Sequence, residues 1–203
     1  MKKVIIWGLS ILGIGTFLYA IYIVWAVWMF MSASDTYYSK EDLIENYRSK
    51  TKEIYQLKKY AGQIIPNDKS VTIEFENDNK LFIFHLSDKK GRSYNWDVKI
   101  NSKKADSLLT ELGWTKLTLK QLKEKLDDAN CISIKNGEPF TIGYQRSGMG
   151  IYFYNLFDKP LTDSLKNAYN DGCEHIIYNE KVALAFGGGA IGQQCFEGYF
   201  NKK

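Results

Sequence analysis

Hydrophobic and polar positions divide this chain into two stretches that follow different rules. From Val4 to Ser34 no residue carries a charge, and from Val4 to Met31 only Gly8, Ser10, Gly13, Gly15 and Thr16 interrupt the apolar and aromatic run. A helix of that length, at about 1.5 Å per residue, reaches about 42 Å, against ~30 Å for the hydrocarbon core of a bilayer. A helix satisfies its own amides in lipid, so the pattern predicts an N-terminal transmembrane anchor over residues 1–34, in contact with membrane through residues 4–31. The run exceeds the ~7–15 apolar residues of a cleavable signal. Trp7, Trp25, Trp28, Tyr37 and Tyr38 stand where interfacial aromatic belts form. The expectation is therefore an uncleaved, single-pass signal-anchor. Lys2 and Lys3 precede the span and only Lys40 follows it closely, which predicts a cytoplasmic N-terminus with the rest outside the cytoplasm, periplasmic or extracellular.

Downstream the periodicity changes. Leu43, Tyr47, Ile54, Leu57 and Ala61 recur at helical spacing after a Ser39–Asp42 capping pair, and Gly62 and Pro66 end the run, giving a juxtamembrane helix within residues 35–66. Period-two alternation then marks strands at Val71–Glu76, Leu81–Leu86 and Tyr94–Ile100. Helical spacing returns after Ser102, with Gly113 as its stop, and again around Leu119, Leu122 and Leu126, where Thr118 and Gln121 read as a capping box. Strands follow at Ile132–Lys135, Phe140–Tyr144, Ile151–Phe157, His175–Tyr178 and Val182–Phe186, with a short helix around Leu165 and Ala168. The helix–hairpin order after Leu117 resembles that after Leu161, a weak internal repeat. Antiparallel strands in two to three groups, interleaved with about four helices, predict an α+β domain over residues 67–203.

Composition narrows the chemistry. The 203 residues carry 27 Lys and Arg against 23 Asp and Glu, a near balance that gives no long-range pull on nucleic acid. Aromatic residues make up 15%, 14 of them tyrosine, and tyrosine suits both strands and binding surfaces. Gly187–Gly192 fits a dinucleotide fingerprint after a strand, but too little chain follows to complete a nucleotide-binding unit, so no nucleotide is expected. Cys131, Cys173 and Cys195 with His175 lack the paired Cys-x-x-Cys spacing of structural zinc, and no metal or other cofactor is expected. In an exported domain a disulfide is the plain outcome. The chain doubles back between Cys173 and Cys195, which makes them the favoured pair over Cys131 and Cys173. The two histidines divide in the same way: His85 lies inside an apolar strand and reads as a hydrogen-bonded core residue, while His175 stands beside Cys173 and Glu174.

No catalytic motif rises from this pattern, and no catalytic residue is assigned. The expected function is a membrane-anchored protein presenting a small α+β binding or interaction domain, with a protein partner, outside the cytoplasm. Two alternatives stay open. One is an exported enzyme with a dispersed site around Cys173 and His175; the other is a structural component of a membrane assembly.

Overall fold

Residues 19–25, 36–187 and 195–196 are described by the structure, a computed structural model. The chain divides into two units, residues 1–36 and residues 37–203. In the first unit residues 19–25 form helix α1, with exposed side chains. Seven residues span about 10 Å at 1.5 Å each, and no helix among the described residues is long and apolar enough to cross a membrane. The transmembrane, single-pass expectation is corrected on that finding. The other positions of the span expected over Val4–Met31 lie outside the described residues.

Local capping sets the helices of the second unit. Ser39 accepts the Asp42 N–H and donates its own N–H to the Asp42 carboxylate, so α2 (Lys40–Ser49) starts on a capping box. The single helix expected within 35–66 is two: α2 gives way at Lys50 to α3 (Thr51–Ile64). Hydroxyls explain the break, since Ser49 and Thr51 donate back to the Asn46 and Tyr47 carbonyls and compete with the helical ladder. Ser102 caps α4 (Lys103–Leu112), and Gly113 closes it in the left-handed region at φ 70°. Helix α5 (Lys116–Asp128) begins one turn earlier than the Thr118–Gln121 pair suggests, because Thr115 is the cap and Thr118 its reciprocal partner.

These helices bury one stripe each: Leu43 and Tyr47; Ile54, Leu57 and Ala61; Leu108, Leu109 and Leu112; Leu119, Leu122 and Leu126. Their common target is the inner face of a sheet of nine antiparallel strands: β1 (Ser70–Asn77), β2 (Lys80–Asp88), β3 (Gly91–Ser93), β4 (Trp96–Lys99), β5 (Ser133–Lys135), β6 (Phe140–Ser147), β7 (Gly150–Leu156), β8 (His175–Asn179) and β9 (Val182–Gly187). Val71, Ile73, Phe84, Ile134, Ile142, Tyr154 and Leu184 all point into that core. Buried tyrosine still needs partners. Tyr154 donates to the Leu43 carbonyl at 2.9 Å and accepts from Asn46.

The strand order is β3–β2–β1–β5–β6–β7–β9–β8, with β4 also on β2. The two to three strand groups expected are thus one sheet. The short strand β5 joins them, pairing Ile134 with Ile73 of β1 on one side and with Ile142 of β6 on the other. Among the described residues six helices are present, α1 in the first unit and five in the second against about four expected there, the break at Lys50 adding one. The repeat reading fails on helix placement. Helix α5 packs into the main core, whereas α6 (Asp163–Ala168) buries no residue and sits by a second cluster of Phe157, Leu161 and Ala183.

Candidate functional site: the open face of the sheet

Only one face of the sheet is covered by helices α2 to α5. On the other, cross-strand register aligns Trp96, Ile83, Glu74, Ser133, Gly143, Phe153, Ala185 and His175 in one row across eight strands. A neighbouring row runs from His85 through Thr72, Lys135, Thr141 and Asn155 to Ala183. The cluster beside α6, with Tyr169 and Ile177, closes the β8–β9 end of this face. Between that cluster and the β2–β4 edge lies a groove of about 570 Å³, floored by Glu74, Ile151 and Phe153 and reaching Arg146, Tyr169 and His175. Size and mixed lining match those of ligand grooves.

Trp96 reaches this face through a break in alternation. Period two places Tyr94, Trp96, Val98 and Ile100 on one side, yet Val98 is buried while Trp96 is 54% exposed. Asp97 between them adopts φ 54°, the left-handed region that Asp tolerates better than most residues. Opposite, β2 skips Phe82 between the pairs Ile83–Trp96 and Leu81–Val98, so both strands change face together. The result is an aromatic edge. Phe82 meets Trp96 edge-on at 5.7 Å, and His85 stands between Tyr94 at 4.9 Å and Trp96 at 4.8 Å.

His85 is therefore neither in the main core nor hydrogen-bonded, as its strand had suggested. Its ring faces the open side, its Nε2 atom is buried without a partner, and burial lowers its pKa below the ordinary 6.5.

Charge at the centre of the face is paired. Glu74 is only 3% exposed, and Arg146 donates to both of its carboxylate oxygens. The guanidinium lies 4.4 Å from the centre of the Phe82 ring. A third donation, to the Met149 carbonyl at 3.4 Å, ties the β6–β7 turn to the same knot. With three donors held inside the fold, this pair stiffens the floor.

At the far end, the residues around Cys173 and His175 do not form a nucleophilic site. Cys173 is joined to Cys195 with Cα atoms 4.3 Å apart, so no thiolate is left to attack a substrate. The link holds Phe196 against Tyr152 and Phe186, and its N–H bonds the Cys173 carbonyl at 3.0 Å. Cys131 is the free cysteine, buried, with burial pushing its thiol well up from the usual value. That separation also excludes the zinc set of three thiolates and His175.

His175 pairs with Asp171 through Nδ1 at 3.1 Å, and the ligand atoms of Asp171, Glu174 and His175 lie within 4.8 Å of one another. Burial of Asp171 opposes ionisation, but the Cys173 and His175 amides and the His175 ring outweigh it and hold this carboxyl below the usual range. Those bonds account for the cluster as a folded loop. The glycine motif at 187–192 lies outside the described residues beyond Gly187, which ends β9. Searches of protein-family models, curated proteins and solved structures find no match to this chain.

Proposed function

We propose that the domain of residues 37–203 is a binding module that takes a partner on the open face of its sheet. The observation that carries this reading is the groove of about 570 Å³ on a face that helices α2 to α5 leave uncovered. A sheet face of this kind normally either faces water with polar residues or is covered by another layer. Here it presents Trp96, Tyr94, Phe82, Ile83 and Phe153 beside ordered polar groups, a mixture typical of the centre of a binding site. The Cys173–Cys195 pair supports a working location outside the cytoplasm, where such bonds persist.

Site-specific photo-crosslinking in the native host tests the reading. Benzoylphenylalanine is placed at Trp96, at Phe153, and at Leu117, an exposed position on α5. The open-face positions should each give one discrete adduct and Leu117 none. Adducts from Leu117 alone, or from no position, overturn the proposal.

A further inference from the structure

A second hollow, of about 390 Å³, lies where β1, β2, β3 and β5 meet on the open face. Its walls are chemically one-sided. His85, Arg92 and Lys135 supply three basic groups, Tyr94 a phenol, and Ser70, Thr72 and Ser87 three hydroxyls; no carboxylate lines it. The register explains the convergence: Thr72 faces both His85 and Lys135, and Ser87 faces both Ser70 and Arg92.

Nearby acids are already engaged. Glu74 is held by Arg146, and Asp88 by Lys69 and the Lys90 and Gly91 amides. Among the described residues, Arg92 and Lys135 have no ion-pair partner. The Arg92 guanidinium rests 3.5 Å from the Tyr94 hydroxyl, which leaves its remaining donors over the hollow. An unpartnered buried ring nitrogen is costly unless a ligand satisfies it, and His85 Nε2 is such an atom.

We propose that this hollow binds a tetrahedral dianion, a phosphate or sulfate group, held by Arg92, Lys135 and His85. The hydroxyls of Thr72 and Tyr94 complete the donor set. Because Thr72 and Lys135 line both this hollow and the larger groove, the group is the charged end of a longer ester whose body lies in the groove. That extension rests on the reading of the groove as the binding site; the anion site itself does not. Groups facing His85 are Arg92 and Tyr94 from the β3 side, Trp96 from β4, Thr72 from β1 and Lys135 beyond it on β5. Burial disfavours the protonated ring, and a dianion bound beside it favours that form.

The chain has two histidines, so side-chain NMR of the full chain separates the site from an internal control. Inorganic phosphate, sulfate and phenyl phosphate are titrated in turn. The His85 signals should shift saturably with a Kd of about 1 mM or tighter, while His175, on β8 at the other end of the sheet, stays still. Bound phosphate should also raise the His85 pKa. Arg92→Ala and Lys135→Ala should each weaken binding about threefold, as expected for exposed charges, and together about tenfold, with an otherwise unchanged spectrum. Phosphate and sulfate arms report which oxyanion is preferred, and tighter phenyl phosphate indicates an ester.

No saturable His85 shift with any probe, an equal shift at His175, or unchanged affinity in the double variant overturns the site. Anion binding without crosslinks at Phe153 leaves this site standing and removes the groove reading. Crosslinks without the His85 response do the reverse.

Discussion

Arg146 grips Glu74 through two parallel N–H···O bonds in the middle of the open face, with the carboxylate almost wholly withdrawn from water. Removing one partner of a buried pair strands the other charge, a loss of ~3 kcal/mol or more, whereas removing both costs much less. Arg146→Met should therefore lower the free energy of urea unfolding by about 3 kcal/mol, and Glu74→Gln with Arg146→Met by clearly less. A double variant as unstable as the single one would show that the pairing is not what matters.

Gly143 occupies a position in the same row that no other residue fits. A Cβ there would lie 2.0 Å from Ser133 Oγ and 2.7 Å from Ile151 Cδ1. Overpacking of this kind costs about 2 kcal/mol. Thermal unfolding of Gly143→Ala should show that loss, and adding Ser133→Gly should recover part of it by vacating the space.

The Cys173–Cys195 link closes a segment with a sequence separation of 22. Loop-closure entropy for that length corresponds to about 3 kcal/mol, or roughly 10 °C in Tm for a domain of this size. Cys173→Ala with Cys195→Ala should reproduce that drop, and reductant should then have no further effect. A thiol assay offers an independent check. Cys131 should be silent in the folded protein and react as one thiol after denaturation without reductant.

Burial lowers the His85 pKa below 6.5, so the folded state favours the neutral ring. An unfolded chain takes up that proton first as pH falls. The contribution to stability is thus complete above pH 6.5 and is lost as pH drops through the lowered folded value. His85→Phe should flatten this part of the profile in urea midpoints taken between about pH 7.5 and about pH 5.5. An identical slope in both proteins would assign the effect elsewhere. Millimolar phosphate should reduce the slope in the parent chain alone.

Much of this domain was legible residue by residue. Ser39 with Asp42, Ser102, and Gly113 at φ 70° delimit helices through bonds that span three or four residues, so their signals are local. The inward faces of β1 and α4 follow from simple periods, because Val71 and Ile73, or Leu108 and Leu112, must share one side. The doubling back of the chain also marks Cys173 and Cys195 as the favoured pair in the sequence, and they are joined in the structure.

What the tertiary structure decided is non-local. Joining β1 to β6 through three residues of β5 depends on pairing across some sixty positions of sequence (Ile73 with Ile134), and nothing in either strand alone announces it. The change of face at Asp97 needed both strands to slip together, so Trp96 lies on the open side although Val98, two residues on, is buried. That slip also sets the aromatic edge beside His85, in a strand whose apolar neighbours had pointed to the core. The anchor expected at the charge-free N-terminus rested on hydropathy and on aromatic residues at its ends, and no helix among the described residues is long and apolar enough to cross a membrane. Local chemistry determined where elements begin and which side they bury. Long-range pairing, whose energy depends on residues far apart in the chain, determined which side was left open and what gathered there.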